Sequence, residues 1–150
     1  MADLSVRLAR PDERAALEDL QRRSSLALGD YREALLAHPD AIDLPAGQIA
    51  EGRVLVAEAE GRPLGFAVVL PAPGGEAELD GLFVEPQAWR RGIGRRLVAE
   101  AADMARTLDA RSLEVVANPG AERFYLKCGF VLEATAETRF GPALKMRLSL

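Results

Sequence analysis

The sequence is poor in the residue types that build disulfide frameworks, metal centres and nucleic-acid surfaces. It has one cysteine and one histidine among 150 residues, so an internal disulfide is excluded and a Cys/His zinc site has too few ligands. Aromatic residues make up only 5%, and the formal net charge of -4 disfavours general affinity for nucleic acid. We therefore expect no metal and no nucleic-acid partner.

Long apolar runs are also missing. The longest, Leu64–Leu70, lies between two prolines and is too short to cross a bilayer, but it has the length of a buried strand. The first residues lack the basic segment and apolar run of a secretory leader. We therefore expect a cytoplasmic protein without membrane contact. The size and the 49% hydrophobic content are typical of one folded domain, residues 1–150.

Periodicity predicts a mixed α+β fold. The predicted helices are Asp12–Arg22, Asp30–Ala37, Gly94–Leu108 and Ala121–Cys128, with an irregular segment up to Glu51. The predicted strands are Ser5–Arg7, Val54–Glu58, Leu64–Leu70, Ala77–Val84, Ser112–Val116, Phe130–Glu133 and Ala143–Leu148. The fourth and fifth strands are joined by a helix, so they should lie parallel in an otherwise antiparallel sheet.

The segment Trp89–Leu97 places two glycines and four arginines between a strand and a helix. Glycine lets the main chain approach an anion, and a helix start offers unpaired N–H groups to it. Arginines at that end oppose the helix dipole unless an anion is bound. A dinucleotide fingerprint would need glycine in place of Leu97, and a Walker loop would need Gly-Lys-Ser/Thr in place of Gly94-Arg95-Arg96. The pattern indicates a phosphate site of another kind.

Two motifs resemble those of the GNAT superfamily of N-acetyltransferases. Leu82–Pro86 followed by Arg91–Leu97 resembles the family's acyl-CoA pyrophosphate-binding motif. The second motif matches at every spacing, with Asn118, Ala121, Phe124, Tyr125, Gly129 and Phe130. The order of predicted elements follows the family from residue 4 to residue 149. One position departs: Trp89 stands where the family usually has Gln or Arg.

The resemblance implies a GNAT-type fold, a mainly antiparallel mixed sheet splayed at two parallel central strands, with acetyl-CoA as cosubstrate. Phe83 and Val84 would bond the pantetheine arm through the main chain, and Arg90 or Arg96 would reach the nucleotide 3′-phosphate. The full set of implied cofactor contacts is Leu82, Phe83, Val84, Arg90, Arg91, Gly92, Ile93, Gly94, Arg95, Arg96, Asn118, Ala121, Phe124 and Tyr125.

The resemblance also points to catalytic groups. A phenol such as Tyr125 can protonate the thiolate that leaves a thioester, although the same ring could simply pack beside Phe124. Glu78 and Asp80 are candidates for the base that deprotonates the acceptor amine, because alternation puts them on one face of their strand. A solvated acidic face is the alternative for both.

The first two helices of the family wall the acceptor site, so the resemblance implies acceptor contacts from Arg22, Arg23, Tyr31 and Arg32, with a solvated helix face as the alternative for the arginines. His38, the only histidine, is a further acceptor-site candidate because an imidazole can act as a base, and a surface position is the alternative. The implied activity is transfer of an acetyl group to a primary amine by direct attack in a ternary complex. The acceptor stays unidentified, and the resemblance also allows a homodimer. The alternative function is a CoA-binding sensor domain without catalysis.

Overall fold

The fold is built on one seven-stranded mixed sheet. The computed structural model describes residues 3–150. The strands are β1 Ser5–Leu8, β2 Val54–Ala59, β3 Arg62–Ala72, β4 Glu76–Val84, β5 Ser112–Ala117, β6 Val131–Thr138 and β7 Gly141–Ser149. They lie in the order β1-β2-β3-β4-β5-β7-β6. Only the β4–β5 pair is parallel, which confirms the predicted strand-helix-strand unit.

Five helices flank the sheet: α1 Arg14–Leu28, α2 Arg32–Ala37, α3 Ala46–Ala50, α4 Ile93–Thr107 and α5 Glu122–Lys127. Two expectations were wrong. Helix α1 does not end at Arg22 but continues until Gly29, whose φ of 87° supplies a left-handed cap. The segment expected to be irregular up to Glu51 contains α3, which buries Ile49. Among residues 3–150, no helix has both the length and the apolar character needed to span a membrane.

Each face of the sheet carries its own core. Helix α4 covers one face because Leu97, Ala101 and Ala105 recur at helical spacing and are fully buried there. Helices α1 and α3 cover the other face, where Leu17 and Leu20 pack with the inward side chains of β2 and β3. The central strands are buried on both faces. A ligand can therefore reach the sheet only at its edges or where strands separate.

A bulge in β4 breaks the alternation of its side chains. Val68 of β3 pairs with Gly81 and Val69 pairs with Leu79, so Asp80 has no partner on β3. As a result Leu79 and Leu82, three residues apart, both pack in the core beneath α4. The extra residue follows Leu79 and faces away from α4, so the bulge is compatible with the expectation that Glu78 and Asp80 share one face. The two carboxylates are close enough for the charge of Asp80 to raise the pKa of Glu78.

The parallel pairing of β4 and β5 is short. It covers only Glu76–Glu78 against Ser112–Glu114, and beyond that point the two strands diverge. The divergence begins directly before the bulge at Asp80. A gap therefore opens between the central strands, and its walls are the rest of β4 and residues 115–117 of β5.

An ion-pair cluster fastens the start of α1 to the edge of the sheet. Arg7 of β1 donates to both carboxylate oxygens of Glu13 at 2.8 and 2.7 Å, and to Glu58 of β2 at 3.0 Å. The Arg10 main-chain N–H also donates to Glu13 at 2.8 Å. The Glu13 side chain is only 10% exposed, and its bonds with Arg7 lower its pKa from 4.5 to about 2. The charged carboxylate is thus stabilised in the folded state.

Glu13→Gln is expected to lower the free energy of unfolding by about 2 kcal/mol at neutral pH. Because the folded-state pKa lies below the unfolded one, this contribution is complete above pH 4.5 and is lost as the pH falls towards 2. Denaturant unfolding at neutral pH and below pH 4.5 measures the difference. Glu60→Gln, in an exposed turn, is the matched control. A difference that stays constant with pH would contradict the assignment.

Candidate active site

The loop from β4 to α4 has the geometry of an anion site. Arg90 and Gly92 both lie in the left-handed region, with φ values of 67° and 81°. The first helical hydrogen bond of α4 runs from the Arg96 N–H to the Gly92 carbonyl at 3.0 Å. The N–H groups of Ile93, Gly94 and Arg95 precede that bond, so the helix itself offers them no acceptor. They are free to bind an anion at the positive end of the helix dipole.

Gly94 allows α4 to start close to α5. A Cβ at Gly94 would lie 3.1 Å from the ring of Phe124, tighter than ordinary van der Waals contact. The sequence motifs that contain these two residues are therefore in direct contact. Their contact forms one wall of a cavity.

This first cavity has a volume of about 560 Å³ and lies between the glycine loop, the end of β4 and α5. It is lined by Ser24, Leu28, Leu82, Val84, Ala88, Trp89, Arg90, Gly92, Ile93, Gly94, Arg95, Gly120, Ala121, Phe124, Tyr125, Lys127 and Cys128. Most of the residues expected to contact the cofactor are thus brought together. Sequence reasoning missed Lys127, whose single positive charge in a helix surface gave no signal.

The four loop arginines do not all face the cavity. Arg90 and Arg95 line it, whereas Arg91 and Arg96 do not. Arg96 instead pairs with Glu100 one helical turn later, at 3.2 Å. Arg95 also lies close to the half-buried thiol of Cys128, whose pKa is raised by burial and lowered in part by that guanidinium. Two of the four expected phosphate contacts are therefore oriented for the role.

Trp89 lines the same cavity and holds the loop against β4. Its Nε1 donates to the Val84 carbonyl at 2.8 Å, while the residue is 37% exposed. The departure from the usual Gln or Arg thus supplies a bond within the chain. It leaves the main-chain N–H groups of the loop unaffected.

The open edge of β4 presents Leu82 and Val84 but not Phe83. The Glu85 N–H donates to the Leu64 carbonyl at 2.8 Å, so by alternation the main-chain groups of Phe83 also face β3 and those of Leu82 and Val84 face the gap. The expected main-chain contact from Phe83 is therefore wrong. Its side chain packs on Phe66, with ring centroids 5.3 Å apart.

A second, smaller cavity of about 120 Å³ continues from the first into the gap between β4 and β5. Asp80, Phe83, Asn118 and residues 115–117 line it together with Ser24, Ser25 and Leu28 of α1. Five residues border both cavities: Ser24, Leu28, Leu82, Ala121 and Tyr125. The two spaces are therefore parts of one groove.

Tyr125 lies at the junction of the two cavities. It is 6% exposed, and its ring packs edge-on against Phe124 and Phe130 at centroid distances of 5.1 and 5.2 Å. Burial raises the pKa of its phenol well above the ordinary value of 10, and no hydrogen bond from residues 3–150 contributes to the shift. The hydroxyl is therefore protonated at neutral pH and available to a ligand.

Two acidic residues lie beside the second cavity. Asp80, at the bulge, lines the cavity from an exposed position, and partial desolvation by the surrounding protein raises the pKa of its carboxyl. Glu78 does not line it, but burial and the neighbouring charges of Asp80 and Glu114 raise its pKa as well. Neither carboxylate has a cationic partner among residues 3–150. Both therefore bind a proton more readily than an ordinary carboxylate.

The residues expected to bind the acceptor lie outside both cavities. The Tyr31 hydroxyl donates to the Pro142 carbonyl at 2.7 Å, and Arg32 donates to the Leu26 carbonyl at 3.3 Å. His38 stacks on Phe140 in the β6–β7 turn, with centroids 5.8 Å apart. The structure assigns these side chains to contacts within the chain. The wall of the groove comes from the end of α1, which the sequence prediction had stopped at Arg22.

The end of α1 bridges the groove. Arg23 pairs with Glu85 after β4 at 2.7 Å, and the N–H of Gly120 after β5 donates to Asp30 at 3.0 Å. These contacts join the helix to the chain on both sides of the gap. These contacts limit the width of the groove on the α1 side. The β4–β5 pairing limits it at the end where the two strands are joined.

Comparisons with known proteins agree with this architecture. A search of the curated proteins gave no match. Among solved structures, a GCN5-related N-acetyltransferase from Rhodopseudomonas palustris superposes with a TM-score of 0.81 at 24% identity, covering 100% of this chain and 98% of that one. PaiA N-acetyltransferase from Thermoplasma acidophilum, in complex with coenzyme A, gives 0.80 at 19% identity, with 99% of each chain covered.

A third structure extends the comparison to a longer protein. N-acetylglutamate synthase from Neisseria gonorrhoeae, complexed with coenzyme A and N-acetyl-glutamate, has a TM-score of 0.74 at 22% identity. The whole of this chain aligns with 36% of the length of that protein. At these identities the structures establish the fold. The model of the Acetyltransferase (GNAT) family matches residues 15–130, which include both motifs. The chain therefore belongs to the GNAT family of acetyltransferases and is an acyltransferase.

Proposed function

We propose that the chain transfers the acetyl group of acetyl-CoA to a primary amine by direct attack in a ternary complex. The observation that carries the proposal is the position of Tyr125, a buried side chain that borders both cavities and whose hydroxyl has no hydrogen-bond partner among residues 3–150. The larger cavity ends at the glycine loop and the smaller one at Asp80. A thioester at the junction of the cavities would have the N–H donors of the glycine loop on one side and the carboxylate of Asp80 on the other.

The larger cavity suits coenzyme A. The diphosphate would bind the N–H groups of Ile93, Gly94 and Arg95, with charge from the Arg90 and Arg95 guanidinium groups. Lys127, on the opposite wall, would meet a further phosphate of the nucleotide. The pantetheine arm would follow the open edge of β4. There it would take the place of the strand partner that the main-chain groups of Leu82 and Val84 lack. Crystals of two similar proteins contain coenzyme A, which supports this placement.

Tyr125 would act as the general acid. Attack of the amine nitrogen on the thioester carbonyl forms a tetrahedral adduct, and its collapse breaks the carbon–sulfur bond. The leaving thiolate then takes the phenol proton, and the proton lost by the amine later restores the phenol. The phenol holds its proton at neutral pH, as a general acid must, because its pKa is not below the ordinary value.

Asp80 would accept the proton of the acceptor amine, directly or through water. An alkylammonium with a pKa of about 10.4 is largely charged at neutral pH, so a nearby acceptor for its proton assists attack. Asp80 lines the smaller cavity, and its raised pKa makes it a better base than a carboxylate of ordinary pKa. Glu78 would support it from the neighbouring position rather than from the cavity wall.

A screen of amines with acetyl-CoA tests the function as a whole. Thiol release and the mass of the product together show acetyl transfer. Thiol release without an acetylated product would indicate hydrolysis. Binding of coenzyme A without turnover of any amine would favour a sensor domain.

Gly92→Ala is expected to weaken coenzyme A binding by about five- to thirtyfold. Alanine at a φ of 81° is strained by about 1–2 kcal/mol, and the loop relaxes by turning its N–H groups away from the ligand. Calorimetry measures the affinity. Gly47→Ala is the matched control, because its Cβ meets nothing within 4 Å and its φ is not left-handed. Equal affinities of both variants would exclude the loop as the diphosphate site.

Tyr125→Phe is expected to reduce the acetyl-transfer rate by about a hundredfold or more. Phenylalanine keeps the packing against Phe124 and Phe130, so coenzyme A affinity and thermal stability should change little. Steady-state kinetics and calorimetry on the same preparation separate the two effects. Native turnover in this variant would remove the acid role.

Asp80→Asn is expected to remove the limb of the pH–rate profile in which kcat/KM rises with pH. A base must be deprotonated, so the raised pKa of Asp80 places that limb above the range of an ordinary aspartate. Glu78→Gln, next to the cavity, is expected to keep the limb and its midpoint, because desolvation raises the pKa of Asp80 and the base remains. If the rising limb is unchanged in both variants, neither carboxylate takes the proton.

A further inference from the structure

A patch of five carboxylates lies beside the smaller cavity. The acidic patch, as we call it, consists of Glu76, Glu78, Asp80, Glu114 and Glu133. Only two cations lie among them, Arg147 and Lys145. The patch therefore keeps an excess of negative charge at this end of the groove.

The two cations are already paired. Arg147 contacts Glu76 at 2.8 Å and Glu114 at 2.7 Å, and it also pairs with Glu133. Lys145 contacts Glu114 at 3.5 Å. Glu78 and Asp80 have no cationic partner among residues 3–150. The unmatched charge is thus concentrated on β4, next to the gap.

The patch adjoins the reaction centre. Glu78 and Glu114 are register partners at the last paired position before β4 and β5 diverge. Val116, the next residue of β5 on the same face as Glu114, lines the smaller cavity, as does Asp80. The buried side chain of Tyr125, whose hydroxyl has no hydrogen-bond partner among residues 3–150, borders the same space. A molecule entering towards Tyr125 therefore has the patch beside it.

The cavity wall selects against an anionic acceptor. Among the residues that line the smaller cavity, Asp80 is the only one with a charged side chain. A carboxylate carried next to the reacting amine would find no arginine or lysine there, and it would meet Asp80. A second ammonium group, in contrast, would meet Glu78 and Glu114 about 7 Å away, two residues along the strand.

We infer that the acceptor is a diamine or polyamine, with a second ammonium group a few bonds from the reacting nitrogen and no carboxylate between them. The inference rests on the proposed function, since it names the class of amine that the proposed acceptor site takes. The patch binds the second ammonium while the first is delivered to Asp80.

Three small amines test this class. Cadaverine has two amines, pentylamine lacks the second one, and lysine adds a carboxylate to the cadaverine skeleton. Calorimetry with the complex of protein and coenzyme A is expected to give at least about fivefold tighter binding of cadaverine than of either other amine. Acetylation by acetyl-CoA should follow the same order in kcat/KM. High salt should reduce the preference, because the patch is partly open to solvent.

Variants of the patch connect the preference to its charges. Glu114→Gln should reduce the preference for cadaverine over pentylamine by about half or more, whereas Glu114→Asp, which keeps the charge, should retain it. Glu51→Gln removes an exposed carboxylate beyond α3 and should leave the preference unchanged. Thermal unfolding of each variant verifies that the fold is intact.

The two levels of the proposal fail differently. Equal binding of the three amines, tighter binding of lysine, or an equal effect of Glu114→Gln and Glu51→Gln overturns the inference about the acceptor. Loss of coenzyme A binding, or absence of any acetylated product, overturns the proposed function. If coenzyme A binds but no acetylated product forms, the preference in amine binding, with its loss in Glu114→Gln, would still support the patch as a diamine site.

Discussion

The site depends on the early loss of hydrogen bonding between the two parallel strands. Three residue pairs join β4 to β5, and then the strands separate. Main-chain polar groups that lose their partners inside a protein must find others, because leaving them unpaired costs free energy. Along the open edge of β4 a ligand with amide groups can take the place of the missing strand. The groove and the unpaired main-chain groups along it thus have one origin.

The bulge at Asp80 adds a second property to the same point of the fold. It changes which side chains of β4 face α4, so that Leu79 and Leu82 both pack in that core. It also leaves one carboxylate outside the ladder, at the inner end of the gap. The irregularity therefore combines the opening of the sheet with the placement of a carboxylate. Arg23 of α1 and Asp30, just after the helix, then bind the chain on either side of the opening.

The sequence predicted best what depends on local spacing. Helix α4, the parallel strand pair and the glycine loop all follow from short-range patterns, and the structure has each of them. The bulge could not be predicted, because it is a matter of register between β3 and β4 rather than of residues within β4. The same reasoning explains Phe83, whose main-chain direction depends on its partner strand.

The acceptor wall was predicted least well. Tyr31, Arg32 and His38 carry suitable chemical groups, but their orientation depends on contacts with Pro142, Leu26 and Phe140. These contacts join parts of the chain that are far apart or lie at the end of a helix whose length was underestimated. The sequence signal for a longer α1 was the position of Ser24, which continues the helical spacing of Leu17 and Leu20 and is buried in the structure. The signal is weak because serine also favours helix ends.

Trp89 gives the groove an optical property. It is the only tryptophan of the chain, its ring lines the larger cavity, and its indole N–H is fixed on Val84. All ultraviolet-excited indole fluorescence of the protein therefore comes from one point on the cofactor wall. A nucleotide that enters the cavity displaces water from that ring, so the native chain reports its own occupancy without an attached dye.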